Sequence, residues 1–185
     1  MLYRLRMRIS LPIFAGLVLL APAGATTLLK MSMSDLILQS TSIVRAKVTG
    51  SRSVAAQRGD IYTYYQLEIS ETLKQTGILP AEVAVPGGVY GNRRQIGIGS
   101  PSFAQGQEYV LFLWTSRTGM TQVIGLSQGL FSLRTDGAGD TVLNRPAIAD
   151  QMLDKTGHEV TDKAVTMKWT DLRALILKTL PKAKQ

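Results

Sequence analysis

The stretch from Glu108 to Trp114 limits this chain more than any other. Tyr109-Val110-Leu111-Phe112-Leu113-Trp114 is an unbroken apolar run of aromatic, β-branched and leucine residues. It is far shorter than the roughly 20 apolar residues a bilayer-spanning helix requires, and its residue types favour a strand. A strand that is apolar on both sides must be covered on both sides. Glu108–Trp114 is therefore expected to be a central, buried strand.

Its neighbours show as alternation. Val44, Ala46 and Val48 alternate with Arg45, Lys47 and Thr49, the period of a half-buried strand. Ile61 to Leu73 reads as a long strand, with Tyr65, Leu67 and Ile69 on one face and Gln66, Glu68 and Ser70 on the other. The polar Gly50–Asp60 segment between them reads as a loop. Glu82–Val85 is a short strand stopped by Pro86-Gly87-Gly88, and a weak strand around Gln95–Ile98 is broken by Gly99-Ser100-Pro101. Thr121–Gly125 and Leu130–Arg134 are two more strands. The Asp136–Asp140 loop then returns Thr141–Asn144 as an edge strand.

Helical patterns stand at the two ends. Met33–Ser40 predicts a short helix, N-capped by Ser34 or Ser32, with Asp35 in its first turn. Leu172, Leu175, Ile176 and Leu180 form one stripe of a helix over Trp169–Leu180, with Thr170 as N-cap and Pro181 as stop. Ala147–Val165 reads as polar and irregular. The count is about six or seven short strands without alternating helices, which predicts an all-β fold. The expected form is a small closed or partly open barrel of OB type, with a β-sandwich as the alternative.

The N-terminus carries a different message. Arg4, Arg6 and Arg8 precede an apolar run from Ile9 to Leu20, and Ala21-Pro22-Ala23-Gly24-Ala25 follows with small residues at the cleavage positions. This is the order of a secretory signal peptide, expected to be cut between Ala25 and Thr26. The expected organisation is a signal over 1–25, a β domain over 26–146, and a polar segment with a helix packing on it over 147–185. The expected location is the periplasm or the medium, with no membrane-spanning segment once the signal is removed. The chain has no cysteine, although an oxidising compartment would permit disulfides. That excludes a thiolate nucleophile, a lipid-modified cysteine and any Cys-ligated metal. The formal net charge is +8, of which Arg4, Arg6 and Arg8 would leave with the signal. The remaining surplus is scattered; it fits anionic surfaces rather than nucleic acid.

One motif has a catalytic form. Gly125-Leu126-Ser127-Gln128-Gly129 matches G-x-S-x-G, and His158 follows Ser127 with aspartates between them, the chain order of α/β-hydrolases. The nucleophile elbow requires a strand before it and a helix after it, yet Leu130–Arg134 alternates like a strand. The motif thus reads as a turn or bulge, with Ser127 and His158 kept as candidates. His158 is the sole histidine, so a zinc site would need carboxylates for every other ligand; no metal or cofactor is expected. Gly87, Gly88, Gly91, Gly97 and Gly99 lack the strand–helix context of a phosphate loop and read as turn glycines. Arg52, Arg58, Arg93, Arg94 and Arg117 fall in expected loops, where they would form a positive rim if those loops share one end. Arg93, Arg94 and Arg117, with Tyr62 and Tyr64 on the far face of their strand, are the binding candidates.

Ser42–Val48, the long strand ending Glu71-Thr72-Leu73-Lys74, and Gly106-x-x-Tyr109-Val110-Leu111-Phe112-Leu113 together resemble the strand pattern of netrin-like modules, the OB-type barrels of tissue inhibitors of metalloproteinases. A group of uncharacterised bacterial exported proteins is also similar. It shares a Gly-x-Pro-x-Phe-x-x-Gly-x-x-Tyr stretch, here Gly99–Tyr109, and a Gly-x-x-Gln-Gly-x-Phe stretch, here Gly125–Phe131. The first resemblance implies a barrel. The inhibitory N-terminal cysteine of those proteins has no counterpart at Thr26, so no functional residue carries over. The resulting expectation is an exported, non-catalytic binding or accessory module. Its partner would be an envelope or extracellular protein, or an anionic glycan or lipid surface. A protease-inhibitor-like protein and a serine hydrolase using Ser127 and His158 are the alternatives.

Overall fold

A computed structural model describes residues 27–181. The expected signal, its Ala25–Thr26 junction, and Lys182 and Lys184 of the tail lie outside the described residues.

The chain opens with strand β1 (Leu28–Leu29) and helix α1 (Met33–Gln39). Ser32 caps α1 in a capping box: its hydroxyl accepts from the Asp35 N–H at 3.1 Å, and Asp35 accepts in return from the Ser32 N–H at 3.0 Å. Two long strands follow, β2 (Ser42–Ala55) and β3 (Ile61–Gln75), then β4 (Glu82–Pro86) and the small strands β5 (Gly88–Tyr90) and β6 (Arg93–Gln95). Next come β7 (Glu108–Thr115), β8 (Thr121–Val123), β9 (Leu130–Thr135) and β10 (Thr141–Arg145). The last part holds β11 (Met152–Leu153), β12 (Glu159–Val160), β13 (Val165–Lys168) and helix α2 (Trp169–Thr179).

The fold is mainly β. The principal sheet has the order β13-β10-β9-β7-β2-β3-β4, with β8 also paired to β7. Strand β7 lies at its centre, as the apolar run requires. Val110 and Phe112 face one way, into a core with Ile37, Ile43, Phe131 and Leu143 covered by α1 and by Leu172 and Ile176 of α2. Tyr109, Leu111 and Leu113 face the other way, into a second core with Val44, Ala46, Val48 and Val83. The main chain of β2 shifts register at three places against β3, and such bulges bend a strand. The bend brings β4 beside β8 across the second core. No ladder joins them, and no sheet closes among the described residues.

Four local expectations change. The polar Gly50–Asp60 segment is a loop only over Ala56–Asp60: β2 stays paired with β3 to Ala55, held by cross-strand contacts that hydropathy does not register. The Ser53 and Thr63 hydroxyls lie 3.1 Å apart, and the Arg52 guanidinium lies 4.7 Å from the centre of the Tyr64 ring. Thr141–Arg145 is an interior strand, because β13 pairs on its free side. The region read as irregular, Ala147–Val165, supplies β11 and β12, and β11 takes up β1 in parallel. Helix α2 begins at Trp169 directly from β13, so Lys168 occupies the cap position without a side-chain bond and Thr170 is not the cap.

Candidate functional site

The segment between β8 and β9 borders two cavities among the described residues. Both strands are antiparallel to β7 and run in the same direction: Val123 pairs with Leu113, and Leu130 with Leu111. They are one strand interrupted by a blister of Gly125–Gln128. Phe112 holds its base, donating its N–H to Gly129 O and accepting from the Ile124 N–H, both at 2.9 Å. The Gly129 N–H closes the neck on Ile124 O at 3.1 Å. Gly125 (φ 64°) and Leu126 (φ 58°) are both left-handed, and Leu126 is the one non-glycine residue in that region among the described residues. A leucine held there stores backbone strain that its surroundings must offset. A Cβ on Gly125 would meet Met31 Sδ at 2.9 Å, so that position is closed to larger residues.

Gln128 sits fully inside the fold. Its Oε1 accepts from the Met31 N–H at 2.8 Å, and its Nε2 donates to Leu29 O at 3.0 Å. The amide thus acts as a backbone surrogate, pairing with the chain just after β1. The Gly-x-x-Gln-Gly-x-Phe pattern has a structural reading throughout: a left-handed glycine, a clamp, a neck glycine and the core residue Phe131. The other pattern does as well. Phe103 packs on Tyr65 and, edge-on at 5.3 Å, on Tyr109, while the Tyr109 hydroxyl accepts from the Ala104 N–H at 2.9 Å.

On one side of the blister lies a cavity of about 440 Å³. Ser127 and Leu130 line it, together with Ser100, Pro101, Ser132, Asn144, Arg145, Ile148 and Asp150. Arg145 is buried and makes a two-pronged pair with the buried Asp162, Nη1 to Oδ2 at 2.7 Å and Nη2 to Oδ1 at 3.2 Å. Burial pushes the Asp162 carboxyl upward, but Arg145 and the Ile148 N–H (3.0 Å) outweigh it and hold the group below its usual range. Among the described residues, Arg145 Nε and Ser100 Oγ have no hydrogen-bond partner although both are buried. On the other side is a cavity of about 380 Å³ between the β1 segment and β8, lined by Leu29, Met31, Trp114, Gln122, Leu126 and Gln128, with Asp35 and Lys155 also on its wall. Asp35 and Lys155 pair at 2.7 Å; that bond and the Ser32 contacts hold the Asp35 carboxyl down at about 2.

The candidate residues fall in separate places. Ser127 lines the larger cavity, whereas His158 is not among its lining residues. His158 lies in the β11–β12 turn, where its Nδ1 is 2.8 Å from the Thr156 hydroxyl. No hydrogen bond joins Ser127 to His158, and the residues after the motif form β9 rather than a helix. Arg93 and Arg94 stand on the β5–β6 hairpin beside the β2–β3 turn that carries Arg58; Arg93 Nη2 donates to Gly59 O at 2.7 Å. Arg117 is in the β7–β8 turn, next to the Ser42 end of β2, the whole length of that strand away. The loop arginines therefore occupy two ends, not one rim. Arg52 is not in a loop; it sits on β2, paired with Glu82 at 2.8 Å. Tyr64 is half-buried under Arg52, and Tyr62 is half-buried opposite Val54 and Pro86. Gln128, Arg145 and Asp162 escaped sequence reasoning. The only signal for Gln128 was its place in a shared pattern, and Arg145 and Asp162 are seventeen positions apart with no periodicity linking them.

Among the described residues no three His, Asp or Glu side chains gather as metal ligands, and no helix is long and apolar enough to cross a membrane. No protein-family model matches the chain, and no curated protein sequence matches it.

Proposed function

We propose that this is an exported, periplasmic or secreted, non-catalytic binding module that takes a small, partly polar ligand in the larger cavity. One observation carries the reading. That cavity combines apolar walls at Pro101, Leu130 and Ile148 with hydroxyl and amide groups at Ser127, Ser132 and Asn144, and the buried Arg145 Nε and Ser100 Oγ beside it lack partners among the described residues. A mostly apolar recess with a few convergent polar groups is the usual form of a small-molecule site. An incompletely closed barrel of OB or netrin-like type is the finer architecture that goes with it, supported by the approach of β4 to β8. Catalysis has less support: among the described residues no hydrogen bond joins Ser127 Oγ to a base, and His158 stands in the β11–β12 turn and does not line the cavity.

The test is a ligand-observed NMR screen of small polar metabolites against the chain beginning at Thr26 and against its Ala149→Trp variant. Ala149 is exposed and lines the cavity, so a tryptophan there obstructs the recess without disturbing the core. Hits lost in the variant support the site. Hits that persist unchanged place binding elsewhere, and a screen without hits removes the reading.

A further inference from the structure

The β5–β6 hairpin presents side chains that nothing in the fold covers. Its register sets Val89 opposite Arg94, Tyr90 opposite Arg93 and Gly88 opposite Gln95. The face carrying Gly88 and Gln95 lies against the body: Gln95 Oε1 accepts from the Ile61 N–H at 2.8 Å, and a Cβ on Gly88 would run into Thr63 Oγ1. Val89 and Arg94 therefore belong to the outward face. Val89 is 60% exposed and Tyr90 50%; just beyond the hairpin, Ile96 is 76% exposed and Ile98 55%. Four large apolar side chains are thus exposed within the ten residues Val89–Ile98.

The charge there is one-sided. Between Glu82 and Glu108 the chain has no carboxylate, while Arg93 and Arg94 fall inside that interval. Arg58 of the neighbouring turn adds to them, and Asp60 is the single acid of that turn. Arg94 makes no hydrogen bond or ion pair within the described residues. Exposed isoleucine, valine and tyrosine interleaved with arginine is the composition that partitions into the headgroup boundary of a bilayer. There apolar tips enter the acyl edge, a tyrosine sits at the interface, and arginines meet lipid phosphates. A protein partner fits less well: a hairpin of three residues per strand is small against the roughly 800 Å² per side that stable protein interfaces bury.

We propose that the Val89–Ile98 hairpin docks this protein on the surface of an anionic phospholipid bilayer. The contact is peripheral, with Val89, Ile96 and Ile98 entering the boundary and Arg94 holding phosphate, while Arg93 ties the hairpin to Gly59 O and adds its charge. It stands apart from the cavity and from any ligand there.

The experiment is co-sedimentation of the chain beginning at Thr26 with vesicles of phosphatidylglycerol and phosphatidylcholine, and with phosphatidylcholine alone, at low and high salt. The expected result is binding to the anionic vesicles only, weakened by salt, and at least tenfold weaker in Arg94→Ala and in Ile96→Ser with Ile98→Ser. Leu177→Ser, which removes an exposed apolar side chain on α2, should bind as the parent does. These residues are solvent-exposed, so an unchanged thermal midpoint certifies folding. An Ile96→Trp variant should show bromolipid quenching above that of the parent, placing the hairpin at the acyl edge. Absence of anionic-vesicle binding, equal binding to both vesicles, or full binding by the hairpin variants overturns the proposal. So does capture of an acidic protein through Arg94 without vesicle binding, which would make the hairpin a protein interface.

Discussion

Two small sheets are added to the principal one, and they are held in opposite ways. The three-stranded β1-β11-β12 sheet is locked by polar groups turned inward, the Gln128 clamp on Leu29 and Met31 and the nearby Arg145–Asp162 pair that also receives the Ile148 N–H, with the Asp35–Lys155 pair added at the surface. The two-stranded β5–β6 sheet rests on two ties, Gln95 to Ile61 and Arg93 to Gly59, and turns its apolar residues outward. What separates them is whether the polar side chains find partners inside the fold. Where they do, the segment is scaffold; where they do not, the segment is free to meet something else.

The contrast breaks most sharply at Asp162. Asp162→Ala leaves the buried Arg145 guanidinium without its carboxylate, and breaking such a pair costs about 3–5 kcal/mol. Urea denaturation should show that loss, and a loss below about 1 kcal/mol would mean that water already compensates the pair. Gln128→Leu comes next. It strands the Met31 N–H and the Leu29 carbonyl, and because both bonds are part-buried the loss falls toward the low end of about 1–3 kcal/mol. Amide exchange should rise at Lys30 and Met31 and stay unchanged at Gly88–Gln95; a uniform rise would show that the two sheets are not independent.

Acid offers a gentler test. Asp35 is held at about 2 in the folded chain against an ordinary 3.8, so its contribution is fully present above about pH 4 and is lost as pH falls through about 2. Thermal midpoints between pH 5 and pH 2 should fall more steeply for the parent than for Asp35→Asn. Parallel curves would remove Asp35 from the lock. The smallest effect is expected at Ser127. Ser127→Ala should change stability by less than about 0.5 kcal/mol, and a fluorophosphonate probe should label neither form. Labelling of the parent at Ser127 would turn the blister from scaffold into an active site.

The strand β7 and the all-β class were legible because burial on two faces leaves an unmistakable apolar run. Helix α1 was legible because Ser32 and Asp35 spell its cap. The polar arm of β2 was not, since its pairing rests on a hydroxyl contact and an arginine over a tyrosine rather than on hydropathy. Strands β11, β12 and β13 are two to four residues long, too short for a period to register. The cavity was invisible for a related reason. Ser100, Ser127 and Asp150 come from three separate connections and Asn144 from strand β10, and only the fold gathers them.

The parallel pairing of β1 with β11 sets an order of events in time. The Leu28 N–H donates to Gln151 O and the Lys30 N–H to Leu153 O, so β1 waits for residues made 123 positions later. A chain emerging N-terminus first holds Leu28–Met31 unpartnered until about residue 153 has appeared. Closing so long a loop is slow relative to forming local contacts. The principal sheet from β2 to β10 lies within residues 42–145 and need not wait, so the β1–β11 ladder is a late closure laid on a body already paired.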